Sequence, residues 1–104
     1  MIPTIAAEDA ARALQAGDTI SLDVRSVSEY TSGHIEGASN IDFYGHHFEE
    51  ELKKLDLGKK YIVNCLSGGR SGKTVELMQK LGFKNVQNLS GGITAWRNKN
   101  LPVV

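Results

Sequence analysis

The sequence predicts an α/β fold with a central, mainly parallel sheet of several strands and helices on both faces. Three observations carry that expectation. Short β-branched or apolar runs alternate with helix-patterned segments along the whole chain. Glycines mark nearly every change of pattern. The residues with reactive or charged side chains, Asp23 and Cys65, fall at the carboxyl ends of strand-like runs, where ligands bind in parallel sheets. The chain has 104 residues, which suits one domain over residues 1–104 with a core that needs no disulfide or structural metal.

The elements follow in order. Glu8 to Ala16 is rich in helix formers, with Ala7, Ala11 and Leu14 near one face and Gly17 as the stop. Thr19 to Val24 is short, partly β-branched and alternating, and reads as a strand. Ser26 to Thr31 reads as one or two helical turns, capped by Ser26 with Glu29 three residues later. Gly33 and Gly37 punctuate a loop, and Ala38 to Ile41 is a brief extended piece. Phe43 to Leu55 places Phe48, Leu52 and Leu55 at helical spacing. Tyr61 to Asn64 is the next strand, and Ser71 to Leu81 is a helix carrying Val75, Leu77, Met78 and Leu81, closed by Gly82. Asn85 to Leu89 is strand-like, Gly92 to Asn98 is the last helix, and Pro102 prevents its simple continuation. No repeat, linker or low-complexity segment interrupts the series.

Composition excludes several classes of function. Twelve basic and twelve acidic residues leave a formal net charge of zero, so nothing asks for nucleic acid or an anionic membrane surface. No apolar run approaches the ~18 residues of a membrane span. One cysteine forbids an internal disulfide and a multi-cysteine zinc site, and it suits a reducing, cytoplasmic setting. The first residues lack the basic start and apolar stretch of a secretory signal.

The chemistry centres on Cys65-Leu66-Ser67-Gly68-Gly69-Arg70-Ser71. A strand delivers one thiol into a glycine-rich loop, and a helix follows at once. Backbone N–H groups and a helix N-terminus favour an anion there. Such surroundings lower a thiol from about 8.5 to roughly 3.5–7.5 and expose a nucleophilic thiolate. A lone cysteine is often a small buried hydrophobe. A core position has no use for the Gly68-Gly69 pair, whereas a backbone wrapped around an anion does.

Three chemistries use loops of this kind. A phosphatase cradle places arginine six positions after its cysteine, whereas Arg70 is five positions on and Ser71 holds the sixth. A nucleotide-binding P-loop reads G-x-x-x-x-G-K-[ST]. Residues 67–74 miss only its first glycine, but that reading leaves Cys65 without a role in a chain small for a nucleotide hydrolase. The third is sulfur transfer through a cysteine persulfide, a reversible state of a low-pKa cysteine.

Three segments together resemble the rhodanese family of sulfurtransferases, in its single-domain form, over nearly the whole chain. The first runs through Leu22-Asp23-Val24-Arg25, Glu29-Tyr30 and Gly33-His34-Ile35-Glu36-Gly37-Ala38 to Ile41, the second is the Cys65–Ser71 loop, and the third is Leu89-Ser90-Gly91-Gly92-Ile93-Thr94-Ala95-Trp96. The resemblance implies a rhodanese-like three-layer fold with a sheet of about five strands. It implies that Cys65 carries a persulfide ringed by the backbone N–H groups of Leu66, Ser67, Gly68, Gly69, Arg70 and Ser71, with Arg70 assisting anionic substrates. Donors and acceptors would be small sulfur-containing anions, thiols and cyanide, or a protein partner, with no metal or organic cofactor. A carrier or interaction module that accepts persulfide from a protein without turning over small donors is the alternative.

Asp23 and Arg25 match the family's strand-end pair, either as supporting site residues or as an ion pair fixing the Gly33–Ala38 loop. By the same resemblance, His34 is a structural hydrogen-bonding residue. His46 and His47 are adjacent, point apart on a helix and read as surface residues. Trp96 packs the last helix on the sheet, with Gly91 and Gly92 beside the Cys65 loop. Two departures stand out. Thiosulfate-using members often carry arginine directly after the cysteine, where this chain has Leu66, so one guanidinium faces a dianionic donor and thiosulfate is expected to be a poor substrate. Asn100 replaces a glycine, which asparagine's tolerance of left-handed backbone makes harmless.

Overall fold

A computed structural model describes residues 2–104. Among the described residues ten elements alternate: β1 (Thr4–Ile5), α1 (Ala7–Gln15), β2 (Thr19–Asp23), α2 (Val27–Thr31), β3 (Ser39–Asn40), α3 (Phe48–Lys53), β4 (Lys60–Asn64), α4 (Gly69–Lys80), β5 (Val86–Leu89) and α5 (Gly92–Asn98). The five strands form one sheet in the order β1-β5-β4-β2-β3. Every pairing is parallel. Register sets Asp23 opposite Asn64, so both strands end level and release their following residues on the same edge.

Alternation along the strands splits the apolar side chains between two cores. Leu22, Val24, Tyr61 and Val63 join Leu52 of α3 and Val75 and Met78 of α4 on one face. Ile62 and Leu89 join Ala7 and Ala10 of α1 and Ile93 and Trp96 of α5 on the other. The result is three layers, with strands buried on both sides as parallel strands are.

The ends of the elements follow local chemistry. The Ser26–Glu29 capping box forms at the start of α2: the Ser26 hydroxyl accepts from Glu29 N–H at 3.3 Å and the Glu29 carboxylate accepts from Ser26 N–H at 3.0 Å. Gly17 follows α1 with φ of 89°. Asn100 is left-handed at φ of 56°, the conformation its asparagine tolerates.

Two expectations shift. The helix expected from Phe43 begins only at Phe48. Asp42 makes the difference, because its carboxylate accepts from Tyr44 N–H at 2.9 Å and its carbonyl from Gly45 N–H at 2.9 Å, which holds a turn. The helix expected from Ser71 begins at Gly69, inside the glycine loop. The two-residue edge strand β1 carries too little pattern to read from sequence; its pairing with β5 defines it.

Candidate active site

Cys65 leaves the end of β4 and is followed by only three residues before α4 begins. Gly68 makes this turn possible. It is the N-cap of α4 with φ of 118°, a conformation costly for any residue with a Cβ. In that pose its N–H donates to Cys65 Sγ at 3.1 Å. The Ser71 hydroxyl lies 3.3 Å from the same sulfur. Of the loop residues expected to ring the sulfur, Gly68 through its N–H and Ser71 through its hydroxyl stand within hydrogen-bond distance of Sγ.

The residue is 1% exposed and shares the apolar core with Val63 and Val75. Burial alone pushes its thiol pKa up. Hydrogen bonds from the Ser71 hydroxyl and from the N–H groups of Ser71, Gly68 and Ser67 outweigh burial, and the pKa ends below the ordinary thiol value. This separates Cys65 from an inert core cysteine, in which burial stands alone.

Sequence reasoning missed Asn88. Its Oδ1 lies 2.6 Å from Ser71 Oγ, and its Nδ2 donates to the Gly68 carbonyl at 3.1 Å. One amide thus reaches two of the residues that contact the sulfur. The single Ser71 proton serves one acceptor at a time. With a thiolate it turns to Sγ; with a thiol, S–H donates to Oγ while Oγ–H donates to Asn88. The available signal was a polar residue between Val86 and Leu89 in a strand buried on both faces.

The N-terminus of α5 supports the loop from beneath. Ile93 N–H donates to the Cys65 carbonyl at 3.0 Å, and Thr94 donates to the Leu66 carbonyl through N–H at 3.1 Å and Oγ1 at 3.0 Å. The approach is so close that a Cβ on Gly92 would lie 2.4 Å from Leu66 O and 2.7 Å from Ser67 N. The Leu66 side chain points outward and is 45% exposed.

Arg70 is not free to face an incoming anion. Its Nη1 and Nη2 donate to the two carboxylate oxygens of Glu29 at 2.8 and 3.0 Å. The Arg70 guanidinium, against some opposition from burial and with help from Ser26, holds the Glu29 carboxyl down at about 2, and Glu29 in turn raises Arg70. Asp23 and Arg25 form a separate, fully buried pair. Arg25 Nη2 donates to Asp23 Oδ2 at 2.7 Å and to the Gly33 carbonyl at 2.7 Å. That geometry is the loop-fixing arrangement of the two sequence alternatives. His34 stacks on Tyr30 with ring centroids 3.8 Å apart, and its Nδ1 lies 2.8 Å from the Tyr30 carbonyl. His46 and His47 sit in the turn before α3 and at its N-cap. Among the described residues no cluster of three or more His, Cys, Asp or Glu side chains is arranged to hold a metal, and no helix is long and apolar enough to cross a membrane.

Comparison with known proteins matches this geometry to a family. The family model described as a rhodanese-like domain matches residues 6–99. The thiosulfate sulfurtransferase GlpE of Pseudomonas entomophila is 32% identical over 88 residues, covering 85% of this chain and 79% of that protein. Among solved structures, a rhodanese-related protein from Thermoplasma volcanium is 34% identical with a TM-score of 0.89, covering 98% of this chain and 97% of that one. The human single-domain sulfurtransferase is 26% identical with a TM-score of 0.84, covering 95% and 98% of the two chains. With a three-layer parallel fold, a thiol seated at a helix start and a family match across nearly its whole length, the chain belongs to the rhodanese-like domain family.

Proposed function

We propose that this protein transfers sulfane sulfur through a persulfide on Cys65. The observation that carries the reading is the Cys65 sulfur held by Gly68 N–H and the Ser71 hydroxyl at the start of α4, with its pKa lowered despite burial. Sulfurtransferase names among the relatives support it.

In the first half-reaction the Cys65 thiolate attacks the outer sulfur of a donor. The donor's S–S bond breaks and the leaving group departs with the electron pair, as sulfite from thiosulfate or as a thiolate from an organic persulfide. In the second half-reaction an acceptor thiolate or cyanide attacks the outer sulfur of the persulfide and returns Cys65 to thiolate. The outer sulfur extends about 2.05 Å beyond Sγ, away from the thiol's buried position. The N–H groups of Gly68, Ser67 and Ser71 stabilise the anion at both ends of the cycle, and Asn88, through the Gly68 carbonyl, and α5, through the Cys65 and Leu66 carbonyls, hold the loop in place.

Cyanide-dependent sulfur transfer from thiosulfate or polysulfide, with wild type beside Cys65→Ser, tests this. Turnover lost in Cys65→Ser supports the reading, and full activity in that variant defeats it. The shorter arginine spacing predicts no phosphatase activity in the same preparation. A second reading, a carrier that takes persulfide from a protein partner, is favoured by the exposed Leu66 beside a Cys65 that is 1% exposed. Persulfide formation without cyanide turnover would select it.

A further inference from the structure

We infer that Glu29 sets the donor preference of the Cys65 site by neutralising Arg70, so that an organic persulfide is accepted over a dianion such as thiosulfate. The inference rests on the sulfur-transfer reading above and names the substrate class of that site.

Arg70 is the sole cation from Cys65 to Gly72. It stands in the first turn of α4, directly before Ser71, and is close enough for the charge on Cys65 to raise its pKa. Both carboxylate oxygens of Glu29 are engaged by it. This carboxylate is not a loose surface acid. Its Oε1 also accepts from Ser26 N–H at 3.0 Å and from the Ser26 hydroxyl at 3.1 Å, so α2 delivers it preassembled. A capping box ordinarily ends its work inside its own helix. Here the same glutamate spans 41 positions of sequence to the Cys65 loop. The other strand-end arginine, Arg25, is likewise matched by Asp23. Arg25 and Arg70 therefore each have a carboxylate partner, and an incoming dianion finds neither guanidinium unmatched. A persulfide donor needs none: Cys65 thiolate takes its outer sulfur, its S–S bond breaks, and the thiolate that leaves gains a proton from water.

Alkylation of Cys65 measures this charge without using sulfur chemistry. Iodoacetate and iodoacetamide are near in size, differ by one negative charge, and both attach through carbon with loss of iodide. Their rate ratio at one pH cancels the thiolate fraction and reports the local potential. Glu29→Gln removes the charge and keeps a residue that serves a capping box. The iodoacetate-to-iodoacetamide ratio is expected to rise about tenfold, equal to about 1.4 kcal/mol, and the KM for thiosulfate to fall relative to that for glutathione persulfide. Arg70→Met leaves Glu29 unmatched and lowers the ratio. The Glu29→Gln/Arg70→Met double variant returns it near wild type.

A ratio in Glu29→Gln within about twofold of wild type, in a folded protein, overturns the inference. If Glu29→Gln does not fold, an unchanged ratio in Arg70→Met overturns it instead. An unmoved ratio in an enzyme that still transfers sulfur removes the role of Glu29 alone. Absence of any persulfide on wild-type Cys65 removes the sulfur-transfer reading and with it the donor class.

Discussion

Replacing Gly92 with alanine should cost far more than the loss of a glycine at a helix start suggests. The added Cβ would meet backbone, with Leu66 O at 2.4 Å, Leu66 C at 2.5 Å and Ser67 N at 2.7 Å. Backbone cannot rotate away as a flexible side chain does, so α5 must retreat from the Cys65 loop. Retreat breaks the donation from Ile93 to the Cys65 carbonyl and from Thr94 to the Leu66 carbonyl. Two such bonds contribute about 1 kcal/mol each. Gly92 also has φ of 62°, which costs a residue with a Cβ about 1–2 kcal/mol. The sum is about 3–4 kcal/mol, or a fall in Tm of roughly 12 °C or more for a domain near this size. Gly17→Ala is the control. Its φ is 89° but nothing lies within 4 Å of the added Cβ, so it bears the backbone cost alone. Thermal unfolding followed by circular dichroism measures both. If Gly92→Ala falls within about 1 kcal/mol of Gly17→Ala, the close approach of α5 to the loop does not support the site as described.

Three further outcomes are expected. Ser71→Ala removes the hydroxyl beside Sγ, so the pH midpoint of Cys65 alkylation should rise toward the ordinary thiol value; a midpoint equal to wild type would remove Ser71 from the stabilisation of the thiolate. Arg25→Met leaves Asp23 buried with no cation and should destabilise the fold by about 3–5 kcal/mol in urea titration, with the Gly33 turn released; a loss under about 1 kcal/mol would contradict a structural role for the pair. The Glu29 carboxyl is depressed from 4.5 to about 2, so the stability it contributes is complete above 4.5 and fades as pH falls toward 2; Glu29→Gln should flatten the stability curve in that window, and an unchanged slope between the two proteins would count against the Arg70 pairing.

Much of this organisation is legible in the sequence. The helices at α1, α4 and α5 and the strands β2, β4 and β5 announce themselves because alternation and helical spacing are strong where one face must be buried. The capping box is legible because Ser26 and Glu29 stand at the spacing that two backbone donors require. The same reasoning saw Cys65 and its loop, because a glycine pair after a strand has few uses other than wrapping an anion.

What sequence left open is contact between distant segments. Asn88 looks like any polar residue in a strand until β5 pairs with β4 and brings its amide to Gly68 and Ser71. Glu29 explains itself fully as a capping residue, which conceals its second role toward Arg70. Arg70 illustrates the cost of reading charge from sequence: a cation beside a thiolate looked free to greet an anion, and its partner lies 41 residues away. The Phe43 helix was lost to a local effect, because the Asp42 carboxylate offers the backbone a turn that competes with helix propagation.

The central claim is that Cys65 carries transferable sulfur. Intact-protein mass spectrometry after incubation with polysulfide tests it most directly, with wild type and Cys65→Ser side by side. Sulfur transfer predicts a gain of one sulfur atom on wild type, lost with a reductant or with cyanide, and no gain on Cys65→Ser. A wild-type protein that gains no sulfur while its thiol still alkylates readily would contradict the claim.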